Sequence, residues 1–390
     1  MIAANGNDKE GFFQNTIDGV SGIDQCSIFD ASKLRTSYVG EVKKDMPVQS
    51  EQPADKNRFQ YIAETAIKEM LLDSGYTVSD IEKMGRKAYI SFATSLGSND
   101  KIMGYAKDKL DGKFNEEWLP KMPNVVSWVK NICGVKGGSY VITSACAAGT
   151  TAAGVGFDLI SEGKADLVIV GGADPLTEFS CTGFHSLKSL STSICKPFDV
   201  NRDGINIGEG GAFMVLETLE SAKKRNAKIY GEVLGYGINN DAYHITSPDP
   251  NGSGAIASMG MAMKHTNLKK EDINYVNAHG TGTKLNDEME VGALTKFFQG
   301  TEHEVFVSSN KSMIGHCLAA AGAIEMAATL LSIYNKKTMP NVSLDDKMEC
   351  SKNQNYVTES QSASVRYALS NSFAFAGNAA SILVGAYEED

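Results

Sequence analysis

Between residues 55 and 76 the apolar positions Phe59, Ile62, Ala63, Ala66, Ile67, Met70 and Leu71 recur at helical spacing, and Gly75 supplies a stop. This pattern predicts an amphipathic helix over Asp55 to Tyr76. Lys87 to Phe92 reads as a strand, and the polar stretch 111–122, with Trp118 and Pro120, as a surface excursion. A rhythm follows. The β-branched run "SYVIT" leads into "ACAAGTTAAGVGFDLISEG", a helix of small residues closed by Gly163, and then into the apolar strand "ADLVIVGGAD". Strand, helix and continuously apolar strand make a βαβ unit on a parallel sheet buried on both faces. The second half repeats the theme. "INYVNAHGTGT" is a strand entering a loop, followed by a helix over about Asn286 to Phe298; "EVFVSSNKSMIGH" is a strand and loop before an alanine-rich helix. "RYALSNSFAFAGNAASILVGA" reads as strand, turn, strand. The chain is therefore α/β, and its two halves, 1–225 and 226–390, meet near the surface helix end "AKKRNAK".

Length and charge narrow the function. A chain of 390 residues holds two average domains or one domain of two halves. A net charge of −10 argues against a nucleic-acid binder, which needs a basic face. Seven scattered cysteines contain no Cys-x-x-Cys pair, so neither a zinc site nor a redox pair is indicated, and a reducing, cytoplasmic compartment fits. The opening "MIAANGNDKEGFF" has no secretory pattern. The longest apolar run, Cys317 to Ile333, carries Glu325 in its middle, which predicts a buried helix and no membrane insertion.

Four residues carry candidate chemistry. Cys146 follows a strand and opens a helix, where the positive end of the helix dipole would stabilise a thiolate. Its plain alternative is a buried core cysteine. His279 ends a strand in "NAHGTGT", at the carboxyl edge where α/β sites lie, and Thr281 and Thr283 can offer hydroxyls to one ligand. Lys311 and His316 share "SSNKSMIGHCLAAAG"; a buried lysine needs a partner, and Glu325 is the candidate. For these too the alternatives are a loop histidine, a surface lysine and a core histidine. No metal-ligand spacing is present, and "DGINIGEGGAF" lacks the phosphate-loop lysine and the dinucleotide pattern. One nucleophile and two histidines at strand-to-helix corners point to acyl transfer through a thioester.

Cys146, "NAHGTGT" with His279, and "NKSMIGHCLAAAG" with Lys311 and His316 together resemble the β-ketoacyl-acyl carrier protein synthases, most nearly the elongating kind of type II systems. "KPFDVNRDGINIGEGGAFMVLE" and "GYGINNDAYHITSPDPNG" extend the resemblance along almost the whole chain. It implies a thiolase-like fold, two related halves in an αβαβα five-layer sandwich, and a homodimer, with a heterodimer as the alternative assembly. It implies that Cys146 takes an acyl chain from acyl carrier protein, and that malonyl-acyl carrier protein then loses carbon dioxide and attacks the thioester. Substrates ride on the phosphopantetheine arm, and no diffusible cofactor or metal is implied. His279 and His316 would hold the enolate, and Lys311 with Glu325 would orient and tune His316. The backbone N–H groups of Cys146 and Phe375 would form the oxyanion hole. Phe375 would also be a gate, facing a second loop with Asp241, His244 and Thr246. Thr281, Thr283 and Thr246 would hold substrate, and Ile102 would close the base of the acyl pocket.

Two departures stand out. The family's first strand ends in a Gly-x-Gly turn, and this chain opens partway through that turn: either the sequence begins late, or the core lacks a strand and is expected to leave an unpaired sheet edge. Where the family has Gly-Phe-Gly-Gly-Thr-Asn, residues 374–379 read Ala-Phe-Ala-Gly-Asn-Ala. Alanine resists positive φ, so a stiffer loop, or motion at Gly377 and Asn378, is expected; with Ser98 in place of another family glycine, this suggests a specialised substrate, as in aryl-polyene-like pathways. Three competing functions are a silent chain-length partner subunit, a thiolase and a cysteine hydrolase. Silent partners lack the cysteine, a thiolase needs a second catalytic cysteine after Tyr367, and a hydrolase has no use for the Lys–His arrangement.

Overall fold

The computed structural model describes residues 1–43, 57–113 and 124–388. Beyond Lys113 the expected surface excursion lies outside the described residues. Among those described, two mixed sheets organise the chain. The first contains β1 (Ile2–Ala3), β2 (Ala88–Ala93), β3 (Ser139–Ile142), β4 (Leu167–Asp174) and β5 (Gly210–Glu217), in the order β1-β5-β4-β2-β3. The second contains β6 (Glu232–Asn240), β7 (Tyr275–Asn277), β8 (Val305–Ser308), β9 (Gln354–Tyr356), β10 (Tyr367–Phe373) and β11 (Asn378–Gly385), in the order β9-β8-β7-β10-β11-β6. With β9 set aside, both orders are first, fifth, fourth, second, third. The pairing repeats as well. β2 runs parallel to β3 and β4, and β5 antiparallel to β4 and β1; β7 runs parallel to β8 and β10, and β11 antiparallel to β10 and β6. This shared topology is the physical form of the rhythm read in the sequence.

The first strand is where the halves differ. β1 has two residues and β6 has nine. The edge expected to be unpaired is covered over this short length, because Ile2 and Ala3 pair with Gly211 and Gly210 of β5.

Helices complete five layers. On the outer face of the first sheet, α1 (Arg58–Ser74) packs on β4 and β5, with α2 (Val125–Ile132) beside it. Between the sheets lie α3 (Ala148–Ser161) and α6 (Ala321–Asn335), each touching strands of both. On the far face, α4 (Ser253–Met263) covers β6 and β11, and α5 (Lys284–Phe297) packs on α4. α1 starts later than its apolar pattern alone suggests because Asn57 and Gln60 form a capping box, and Gly75 closes it at φ 73°. Its buried face holds Phe59, Ile62, Ala63, Ala66, Ile67 and Met70.

The central pair explains the run of small residues. A Cβ on Gly149 would lie 2.5 Å from the Ala323 nitrogen, and one on Gly322 would lie 2.3 Å from Thr150 Oγ1 and 2.5 Å from its nitrogen. The two backbones cross too closely for any larger residue. The segment Leu318–Asn335 is long and apolar enough to span a membrane, but it is 83% buried as the central layer of the fold.

Candidate active site

The topological repeat builds the site twice over. After β3 the chain makes a short 3₁₀ turn, Ala145–Ala147, with Ala145 at φ 49°, and then enters α3. After β8 it passes through Lys311 and His316 into a second 3₁₀ turn, Leu318–Ala320, with Leu318 at φ 52°, and then enters α6. The first turn carries Cys146. Because α3 and α6 cross at Gly149 and Gly322, the two turns pack together. His279 arrives from the end of β7, between them.

The reactive atoms converge. Cys146 Sγ and one ring nitrogen each from His279 and His316 lie within 4.8 Å of one another, and all three residues are buried. The imidazoles meet edge to face, with centroids 5.3 Å apart. Leu318 N–H donates to His316 Nδ1 at 3.0 Å, so the ring proton sits on Nε2. The Lys311 ammonium lies 3.4 Å from His279 Nδ1 and donates to the His279 carbonyl oxygen at 2.5 Å, which places that ring's proton on Nε2 too. Burial holds both imidazoles well below their usual pKa, and the Lys311 charge adds to this, so both are neutral at physiological pH. The outcome is two N–H donors on neutral rings. A metal-binding imidazole instead gives its second N–H to an acceptor. Here both Nδ1 atoms face donors, so the cluster is arranged to bind an anionic oxygen.

Two expectations change. The helix position was expected to stabilise a Cys146 thiolate. Burial instead pushes the thiol up to about 12, against the pull of Lys311, because Cys146 lies in the dry turn before α3. The resting nucleophile is a thiol. Lys311 was expected to orient and tune His316; its charge does help hold that ring neutral, but its ammonium hydrogen-bonds to His279 and pairs with Glu325. Lys311 and Glu325 are each 1% exposed. The proposed partnership therefore forms, and its hydrogen bonds act on the other histidine.

Two carboxylates that the sequence reading did not single out shape the histidine loop. Glu290 accepts the backbone N–H groups of His279 and Gly280, each at 2.8 Å, and burial raises its pKa to about 7. Asp287 accepts from Thr281, Gly282 and Phe198. Both are fully buried on α5. The signal was present as two acids one helical turn apart, just after a Gly-Thr-Gly-Thr loop. Thr281 and Thr283 lie in that loop with their hydroxyls 2.9 Å apart.

The 374–378 turn sits over the same corner, since the Cys146 turn packs against β10 and β11. Phe375 is half-buried and stacks on Phe184, with centroids 5.6 Å apart. The turn is tied to the 240–249 loop: Asp241 N–H donates to Gly377 O, Ala376 N–H to Ile245 O, and Asn240 Nδ2 to Ala376 O. Ala376 adopts φ 59° despite its Cβ, whereas Ala374 is extended at φ −133° and Ser98 lies at φ −92°. Two of the three replacements of glycine thus cost no backbone strain. Asp241 accepts from Tyr243 and Asp249, and His244 Nδ1 from the Thr246 N–H, so these residues order their own loop. Ile102 is 48% exposed on the helix Asn99–Leu110, so it bounds no buried pocket within a single chain.

Two sheets of one topology around paired central helices, with a thiol and two donor imidazoles at their N-terminal corner, define a thiolase-like condensing fold. The family description "Beta-ketoacyl synthase, N-terminal domain" matches residues 1–222, and "Beta-ketoacyl synthase, C-terminal domain" matches 230–345. The chain belongs to the beta-ketoacyl synthase family. It is 32% identical to the 3-oxoacyl-[acyl-carrier-protein] synthase 2 of Staphylococcus aureus over 98% of this chain and 95% of the relative. Among solved structures it is similar to the ishigamide ketosynthase/chain length factor (29% identity, TM-score 0.90, 99% of this chain and 97% of that one). A type II polyketide acyl-carrier protein in complex with its ketosynthase is also similar (27% identity, TM-score 0.90, 99% and 97%).

Proposed function

We propose that this protein is a β-ketoacyl-acyl carrier protein synthase that condenses malonyl-acyl carrier protein with an acyl chain held on Cys146. The observation that carries this is the pair of neutral imidazoles presenting Nε2–H beside a buried thiol. In the first half-reaction the Cys146 sulfur attacks the acyl thioester and the carrier's thiol leaves. Neither imidazole is a ready base, since both carry the proton on Nε2, so the thiol proton departs on the leaving carrier thiol. The tetrahedral oxyanion is held by the backbone N–H groups of Cys146 and Phe375. In the second half-reaction the malonyl carboxylate leaves as carbon dioxide. The electron pair becomes an enolate whose oxygen accepts from His279 and His316 Nε2–H. The enolate carbon attacks the Cys146 thioester, the β-ketoacyl chain remains on the carrier, and the departing thiolate takes one proton from water to restore the resting thiol. Each donor of this type contributes about 2.7–4 kcal/mol at the transition state, or about 10² to 10³ in rate. Lys311, held by Glu325, keeps His279 neutral and correctly protonated. Thr281, Thr283 and Thr246 hold the pantetheine arm, and Phe375 with the Asp241–His244 loop gates entry.

A second subunit is part of the reading. Among the described residues β3 pairs with β2 alone, and Tyr140 on it is 43% exposed. A sheet edge carrying an exposed aromatic is a pairing surface. We assign it to a homodimer, with the halves dividing at 225/226. A reducing cytoplasm suits the seven free cysteines. The similarity to a ketosynthase/chain length factor structure, together with Ala374 and Ala376, supports a second reading in which the partner is a chain-length subunit and the pathway makes polyketide- or polyene-like chains.

Acyl- and malonyl-loaded carriers, followed by mass spectrometry, test the reaction. An acyl adduct on Cys146 and a β-ketoacyl product are expected, both lost in Cys146→Ala. His279→Ala and His316→Ala should each keep the adduct and lose product formation by about 10²-fold or more. No adduct with any carrier would overturn the proposal. Equal efficiency across common saturated chains would remove the specialised pathway alone.

A further inference from the structure

Asp174 ends β4 and is fully buried, yet none of the roles above uses it. Its carboxylate joins three segments. Oδ1 accepts from Thr94 Oγ1 at 2.7 Å and from the Ser95 and Leu96 N–H groups, each at 2.9 Å. Oδ2 accepts from the Ser95 N–H at 3.1 Å and from the Ala319 N–H at 2.9 Å. The last contact matters most. Ala319 follows Leu318, whose own N–H donates to His316 Nδ1 and whose φ is 52°, a conformation unfavourable for a leucine. Two consecutive peptide N–H groups therefore have fixed targets, one on the catalytic ring and one on Asp174. A relaxation of Leu318 toward right-handed φ would turn both away together.

We infer that Asp174 is a positioning residue for the malonyl half-reaction: by holding the Ala319 N–H it keeps Leu318 left-handed, and so fixes His316 in the tautomer that presents Nε2–H. Asp174 touches no reacting atom. It acts through two peptide units, and it ties the histidine to the end of β4 and to the 94–96 loop. Burial raises its pKa to about 6, so around neutral pH it is the carboxylate that accepts all these bonds.

The inference rests on the proposed condensing chemistry, and its test separates the two. Asp174→Asn keeps shape and volume. Its single oxygen serves one side of the clamp, and an amide NH₂ then faces a backbone N–H. With the oxygen toward Thr94, Ser95 and Leu96, the Ala319 contact becomes donor against donor. Decarboxylation of malonyl-carrier is expected to fall at least tenfold, with Cys146 acylation within about twofold of wild type. Thr94→Val removes one donor from Oδ1 and spares Ala319, so decarboxylation should change by less than twofold. ¹⁵N-histidine spectra of the intact wild-type protein give an independent reading: His316 should be Nε2–H, and should become a mixture of tautomers in Asp174→Asn. Three results would overturn the inference: a wild-type His316 protonated on Nδ1, an equal loss in both half-reactions, or an equal loss in Thr94→Val. Failure of wild-type Cys146 to acylate at all would instead overturn the condensing reading, while the tautomer measurement would still stand.

Discussion

Removing the carboxylate of Glu325 isolates the energetics on which the donor pair depends. Lys311 and Glu325 are each 1% exposed, and the ammonium's other contacts are the carbonyl oxygen and Nδ1 of His279. Taking one partner from a buried ion pair costs about 3–5 kcal/mol, because the remaining charge is left desolvated. In Glu325→Gln the amide oxygen still accepts one hydrogen bond, so the lower end, about 3 kcal/mol, applies. Unfolding entropy near 2.1 cal/mol/K per residue gives about 0.8 kcal/mol/K for this length, so the midpoint should fall by about 4 °C. Lys311→Met leaves the carboxylate unpaired. It should cost a similar amount at pH 8 and less at pH 5, since burial raises the Glu325 pKa and protonation removes the uncompensated charge. The double variant has neither charge. It should lose less than the sum of the two by at least about 2 kcal/mol, the sign expected of groups that matter chiefly to each other. Thermal and urea unfolding of the four proteins measures the cycle. Additive losses, or a Glu325→Gln loss below about 1 kcal/mol, would refute the claim that this pair holds its charge on behalf of His279.

Three further outcomes follow from the geometry. Ala376→Gly should stabilise the protein by about 1 kcal/mol in urea unfolding, because glycine carries no Cβ penalty at φ 59°; a loss of stability would mean that the turn does not hold this conformation. Gly322→Ala drives a methyl into the Thr150 backbone and should cost about 1–3 kcal/mol or more, while iodoacetamide access to Cys146 rises as α3 and α6 separate; an unchanged midpoint would deny the close crossing. Alkylation of Cys146 by iodoacetamide should accelerate steadily from pH 7 to 10 without a plateau, since the thiol is held near 12 by burial and both nearby imidazoles are neutral. A plateau with a midpoint near pH 6–7 would show a thiolate–imidazolium pair at rest.

What the sequence revealed and what it hid follow from the range of the interactions involved. Local patterns found the strands at 167–174 and 367–385, the small-residue helices, and the corners bearing Cys146, His279, Lys311 and His316, because burial and turn chemistry act over a few residues. The Glu325 partner was legible because a buried lysine requires an acid and the adjacent helix supplies one. Which histidine the lysine serves was not legible. That depends on β7 lying beside β8, a pairing that joins residues about thirty positions apart. Asp174 was invisible for the same reason, since its partners lie near residues 95 and 319. The thiol's protonation was misjudged because the helix-dipole argument is local, whereas desolvation is set by everything packed above the turn.

The repeat gives a physical reason for the division of labour. In each half the chain leaves the third strand, directly in the first and by way of the Lys311–Ile314 helical turn in the second, for a 3₁₀ turn with one left-handed residue and then a helix of small residues. The first copy presents a sulfur, and the second presents a ring whose tautomer its own turn dictates. Left-handed backbone at Ala145 and Leu318 is unfavourable for both residues, and neither is glycine. Glycine is instead placed at 149 and 322, where the helices touch. Glycine at 145 or 318 would ease the strain but would let the peptide N–H groups swing. An alanine and a leucine, once held left-handed by packing and, at Leu318, by the Asp174 contact next to it, have few other conformations open to them. The strain is thus consistent with a requirement for fixed donors, because an oxyanion is stabilised most by N–H groups that need not reorganise as charge develops.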